Sequence, residues 1–171
     1  MLFLLLTAFL CTSCSLDGLL RVWEEETQPR TLAVHFLDVG QGDAIFAELP
    51  GGETMLIDAG ENYYGESIIH YIERAGYEKI DYLVATHPHT DHIGSMPYIV
   101  RNFAVGAVYM PKVSTNTKLY ESLLKSLKSK NLRAKNGRAG VTVASGDDFS
   151  VKIIAPVQIN EDDLNNCSVM L

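Results

Sequence analysis

From residue 31 onward the apolar positions fall into short strand-like runs separated by helical stripes. Residues 32–37 and 43–49 read as strands, and Pro50-Gly51-Gly52 turns the chain into a third strand over 54–57. Ile68, Ile69, Ile72 and Ala75 recur at helical spacing, which predicts a helix over 66–75 with Gly76 as its stop. The run over 80–85 is short, largely apolar and partly β-branched, as a buried strand would be. Ile93, Met96, Pro97, Ile99, Val100 and Phe103 return to helical spacing, and residues 105–110 give another strand. Leu119, Leu123, Leu124 and Leu127 form the apolar stripe of an amphipathic helix over 117–130. Residues 141–143, 149–154 and 168–171 read as a β-rich tail, with Ser145-Gly146-Asp147-Asp148 as a turn. Strands alternate loosely with helices, and hairpins lie among them. The pattern predicts a mixed α/β (α+β) domain in which helices cover a sheet.

The first thirty residues follow a different pattern. Residues 1–10 are apolar apart from Thr7, a run too short for a membrane span, which needs about 20 apolar residues. It resembles the hydrophobic region of a secretory signal. Ser13-Cys14 resembles a bacterial lipoprotein cleavage site with Cys14 as the lipidated residue. Cys11 stands where that motif usually carries Leu, and no Lys or Arg precedes the apolar run. The expectation is a signal over 1–14, a solvated tether over 15–30 and a folded domain over 31–171, exported and either membrane-anchored through the lipid or secreted. Glu24-Glu25-Glu26 belongs to the tether.

The folded part carries its chemistry in Thr86-His87-Pro88-His89-Thr90-Asp91-His92. This segment packs three of the five histidines and a carboxylate into seven residues. Imidazole and carboxylate are ligands of zinc and similar divalent ions. Residues at i and i+2 of an extended segment share a side, so His87 and His89 can grip one ion, and Pro88 favours that extension. Asp91 and His92 can then begin a second site; paired ions in hydrolases sit about 3.5–4 Å apart around a shared water. The segment leaves a strand and leads into a helix, where open α/β sheets place their sites. His35 and His70, on a strand and a helix, read as packing or surface residues. Cys167 reads as a small strand residue rather than a metal thiolate. Three cysteines build no disulfide framework. The net charge of −7 excludes a basic nucleic-acid groove but not a phosphodiester held through bound metal.

With those residues in view the chain resembles the metallo-β-lactamase superfamily, through His87-x-His89-x-Asp91-His92 and the upstream Leu56-Ile57-Asp58-Ala59-Gly60. Within it, the chain is most similar to the hydrolase domain of ComEC-type DNA-uptake proteins. Phe36-Leu37-Asp38-Val39-Gly40-Gln41-Gly42-Asp43-Ala44 and Asn165-Asn166-Cys167-Ser168 carry that closer likeness. The resemblance implies an αββα sandwich with two divalent ions, zinc or manganese, at the sheet edge. It implies that His87 and His89 bind the first ion, Asp91 and His92 the second, and that Asp91 also orients the water as the catalytic carboxylate. Asp58 would support the ligand loop by hydrogen bonding, with a plain strand-end turn as the alternative. Gln41 and Asp43 would face the site from their glycine-bearing loop, or simply form a tight hairpin.

One departure shapes the expected function. The superfamily usually adds a bridging aspartate and a further histidine later in the chain, and no histidine follows His92. The expectation is therefore the amino-terminal portion of such a domain, a sandwich ending after its first half, with exposed apolar surface and weak turnover. The expected activity is hydrolysis of a phosphodiester. The alternatives are a lactam, thioester or lactone hydrolase, and a surface-anchored module without turnover.

Overall fold

A computed structural model describes residues 31–159 and 163–171; the expected signal, Cys14 and the tether lie outside the described residues. Six strands form the main sheet in sequence order: β1 (Ala33–Phe36), β2 (Ile45–Glu48), β3 (Thr54–Ile57), β4 (Lys79–Val84), β5 (Ala104–Met110) and β6 (Ala134–Asn136). β1, β2 and β3 are antiparallel hairpin neighbours, and β3 to β6 run parallel. The parallel connections carry helices: α1 (Gly65–Arg74), then α2 (Thr90–Ile93) with α3 (Met96–Asn102), then α4 (Lys118–Ser129). A second sheet pairs β7 (Thr142–Ser145) with β8 (Ser150–Lys152).

Side-chain alternation along the strands builds two cores. Phe46, Leu56, Leu83 and Val108 face the helices and meet Ile68, Ile72, Ile99 and Leu123. Their neighbours Ala47, Met55, Val84 and Tyr109 face the other way, toward Val143, Ile153 and Val169. The central strands thus carry buried residues on both faces, which is why their sequences are largely apolar; the charged exceptions are Lys79 and Asp81 of β4, which pair at 2.7 Å. The layers are helices, main sheet and second sheet. On β1 the odd face is bare: Leu32, Val34 and Phe36 are exposed, Phe36 at 79 %. Val34 pairs with Ala47, so this row lies on the second-sheet side.

Several elements differ from the sequence expectation. The single helix expected from Ile93 is two short ones: Pro97, in the first turn of α3, has no N–H to donate to the Ile93 carbonyl, and the chain turns at Ser95 and at the closely packed Gly94. A Cβ there would stand 2.5 Å from the Thr90 carbonyl oxygen and 2.6 Å from the Asn62 nitrogen. Leu124 lies off the buried stripe of α4 and Ala75 is exposed at the end of α1. Residues 168–171 form one bridge, Ala155 to Met170, instead of a strand. Cys167 closes a buried 3-10 turn (Leu164–Cys167), so its expected strand placement is corrected. β6 went unforeseen, since its three residues are all exposed at the sheet edge.

Parallel register fixes where the chemistry lies. Ile57 of β3 pairs with Val84 of β4, so Asp58 and the segment from Thr86 leave the same edge of the sheet. The loop from Asp38 to Asp43 is closed at its base by Leu37 N donating to Ala44 O at 2.9 Å. It folds over that edge through Gly42, whose φ is +91°. A Cβ on Gly42 would stand 1.8 Å from the Asp91 carbonyl oxygen, so only glycine permits the approach.

Two substitutions test this packing by urea denaturation. Gly140 shares the positive φ of Gly42 but has open space around it, so Gly140→Ala should cost only the left-handed penalty of about 1–2 kcal/mol. Gly42→Ala should cost about 1–3 kcal/mol more, from the added clash; equal losses would contradict the close approach. Phe46, fully buried against Tyr77 and Tyr71, should lose about 3–5 kcal/mol as Phe46→Ala, whereas exposed Phe36→Ala should stay within about 0.5 kcal/mol.

Candidate metal centre

The backbone of residues 86–92 is held before any side chain contributes. Ala85 N donates to Tyr109 O at 2.9 Å and Ala59 N to His92 O at 2.7 Å. His89 is extended (φ −83°, ψ 155°) and serves as the N-cap of α2, whose first turn carries Asp91 and His92. His92 N and Ile93 N both donate to His89 O. The two sequence-adjacent ligand pairs therefore sit on different backbone: His87 lies in a bend over residues 86–88 with His89 extended after it, in place of the expected continuous extended stretch, and Asp91 and His92 lie on a helical turn.

The side chains converge. The His87 ring centre lies 4.6 Å from that of His89 and 4.1 Å from that of His92. Asp91 Oδ2 is 3.9 Å from His92 Nε2 and accepts from Gln41 Nε2 at 3.3 Å. Burial alone would push Asp91 up; the Gln41 bond and the neighbouring histidines hold it below its ordinary value. Asp43 Oδ2 stands 3.8 Å from His92 Nδ1. His35, by contrast, bonds Glu48 and Tyr71 on β1, and His70 is exposed on α1.

Asp58 is the fully buried group beneath them, held in a left-handed conformation (φ 56°). Its Oδ1 accepts from Thr86 N at 2.8 Å, and its Oδ2 from Thr86 Oγ1 at 2.5 Å and from His92 Nδ1 at 2.7 Å. Burial raises the Asp58 pKa above the ordinary carboxylate value, and the bonds from His92 and Thr86 pull it the other way. The bond to Asp58 pushes His92 above its usual pKa. His87 goes the other way: burial, then the rings of His92 and His89, push it down to about 4, so it is neutral at pH 7.

This donor set fits a divalent cation. His87 Nε2 is buried and has no hydrogen-bond partner, an arrangement that costs free energy unless something supplies one. The rings of His89 and His92 flank it, and a neutral imidazole nitrogen is a zinc-type ligand. Among the described residues, Asp43, Asp58 and His92 are the group whose ligand atoms lie within 4.8 Å of one another. In that triad His92 uses Nδ1, which already bonds Asp58, and both Asp58 oxygens are engaged. Holding an ion there would displace the His92 Nδ1 bond to Asp58, whereas the Nε2 side of His92 leaves that bond in place. Thr86 and Ser168, whose hydroxyls stand 3.0 and 3.3 Å from His87 Nδ1, are the participants sequence reading did not assign. The quoted Asn165-Asn166-Cys167-Ser168 motif was the available signal for the second.

Comparison with known proteins agrees with this arrangement. The metallo-beta-lactamase superfamily pattern matches residues 37–163. ComE operon protein 3 of Bacillus subtilis (strain 168) is 24% identical over 155 residues, covering 81% of this chain and 20% of that protein. The chain thus spans about a fifth of the length of that curated relative. An archaeal metallo-beta-lactamase superfamily protein from Sulfolobus tokodaii aligns over 73% of this chain and 55% of its own, at 22% identity and a TM-score of 0.44. A diphosphatase of the PhnP family aligns over 66% and 41%, at 20% identity and a TM-score of 0.42. The family pattern takes in the site residues from Gln41 to His92, with Ser168 just beyond it, and the chain belongs to the metallo-beta-lactamase superfamily.

Proposed function

We propose that the chain forms the metal-holding part of an exported, zinc- or manganese-dependent hydrolase of phosphodiesters, related to DNA-uptake proteins. The observation that carries the reading is the buried, unpartnered His87 Nε2, on a ring whose centre lies 4.6 and 4.1 Å from those of His89 and His92. His87 and His89 would hold one ion, and Asp91 and His92 a second. When bound, such ions lower the pKa of water and polarise a phosphoryl oxygen. Asp91, kept ionised and turned by Gln41, would orient the attacking water and accept its proton. Asp58 holds His92, and through Thr86 the loop, at fixed orientation.

The phosphodiester assignment draws on the motif resemblance of residues 36–44 and 165–168 to ComEC-type DNA-uptake proteins. On a chain with a net charge of −7, an anionic substrate would be drawn to the ions themselves. Turnover should be slow, because His87 and His89 give the first ion two protein ligands where a catalytic zinc usually has three.

Metal content after dialysis against zinc or manganese tests the ligands. His87→Ala, His89→Ala, Asp91→Ala and His92→Ala should each lower it, and His35→Ala and His70→Ala should not; equal losses in both groups would refute the assignment. The zinc- or manganese-loaded chain should hydrolyse a chromogenic phosphodiester faster than a lactam, thioester or lactone, and Asp91→Ala should abolish this. Preference for one of the latter substrates would overturn the substrate class, and metal binding without any turnover would favour the non-enzymatic module.

Export rests on residues 1–14, and among the described residues no helix is long and apolar enough to cross a membrane. If Cys14 is lipidated, the chain made in a bacterial host should sediment with membranes, and Cys14→Ala should release it or block its processing. Soluble behaviour of both forms would end the proposal of a lipid anchor.

A further inference from the structure

Ser168 lies 81 residues beyond His87, yet its Oγ stands 3.3 Å from His87 Nδ1. Backbone bonds on either side hold it there. Asp163 caps the turn before it, its side chain accepting from Asn165 N at 3.0 Å, and Ser168 N donates to Asn165 O at 3.1 Å. Just past it Val169 N donates to Thr86 O at 2.9 Å, tying this segment to the ligand loop itself. Val169 is buried in the second-sheet core, which keeps the segment in register.

The protons around His87 Nδ1 can be counted. A hydroxyl has one proton to donate and two lone pairs to offer. Ser168 Oγ donates its proton to Asn165 O at 2.7 Å. Thr86 Oγ1, 3.0 Å from the same Nδ1, donates its proton to Asp58 Oδ2 at 2.5 Å. Neither hydroxyl has a proton left, so both present lone pairs to Nδ1. A bare Nδ1 would face two oxygens with no hydrogen between them. A protonated Nδ1 shares its hydrogen with both. In a neutral imidazole that places the remaining lone pair on Nε2, the buried atom without a partner.

We propose that Ser168 is a positioning residue: with Thr86 it fixes His87 as the Nδ1–H tautomer and aims the Nε2 lone pair into the metal centre. The same carboxylate thereby sets two histidines, His92 directly and His87 through the Thr86 hydroxyl, while Ser168 supplies the second acceptor. The metal-binding consequence rests on the functional reading above; the tautomer does not.

The test reads both. Long-range proton–nitrogen NMR of the metal-free chain at pH 8 should show His87 protonated at Nδ1. Ser168→Ala should bring in the Nε2–H form and raise the zinc Kd by about tenfold, the low end for loss of a ligand's hydrogen-bond partner. Ser168→Thr keeps a hydroxyl and should restore both, with urea midpoints recorded to separate folding from positioning. An Nε2–H tautomer in the unsubstituted chain would overturn the proposal. So would wild-type tautomer and zinc affinity in Ser168→Ala, or equal zinc loss in the Ala and Thr variants. A chain that bound no zinc would count against the metal-centre reading, and the metal-free tautomer would still decide this one.

Discussion

The buried Asp58 carboxylate is the constraint on which the ligand loop depends. Taking an unpaired carboxylate out of water costs several kcal/mol, and here the compensating donors, Thr86 N, Thr86 Oγ1 and His92 Nδ1, all come from the segment 86–92. The loop cannot move away without stranding a buried charge. Parallel pairing of β3 with β4 brings the carboxylate and its donors to one edge, and the left-handed backbone at Asp58 turns the side chain back beneath the loop. Gly42 and Gly94 then allow neighbouring backbone to close on Asp91 and Thr90. Sheet register, two close approaches and one carboxylate together position His87, His89, Asp91 and His92.

That arrangement concentrates groups that are costly to keep together. His87 resists protonation because it is buried beside two other imidazoles, while Asp58 favours protonation of His92. The cluster therefore has ligand atoms, low water access and an unsatisfied nitrogen, all relieved by a bound cation. A chain with seven net negative charges would otherwise repel a phosphodiester. The cation centre and the anionic substrate class are in this sense one proposal.

The family and the α/β layering were legible because the signals were local. The ligand segment lies within seven residues, and the two-sided burial of β3, β4 and β5 leaves largely apolar runs. Elements governed by distant contacts were not legible. β6 has no apolar pattern because it is an exposed edge strand of three residues. The apolar tail at 168–171 looked like a strand, yet its role is to dock: Val169 into the core and onto Thr86, Ser168 onto His87. No periodicity reports a contact across 81 residues. Gly42 was readable as a flexible position, but its approach to Asp91 needed the fold.

The most direct measurement is a crystal structure of the chain soaked with zinc, read by anomalous scattering at the zinc edge. The account predicts a peak about 2.0–2.1 Å from His87 Nε2, on the Nε2 side of His92, with the Asp58 hydrogen bonds to Thr86 and His92 intact. A zinc peak between Asp43, Asp58 and His92 Nδ1, with those bonds broken, would contradict it.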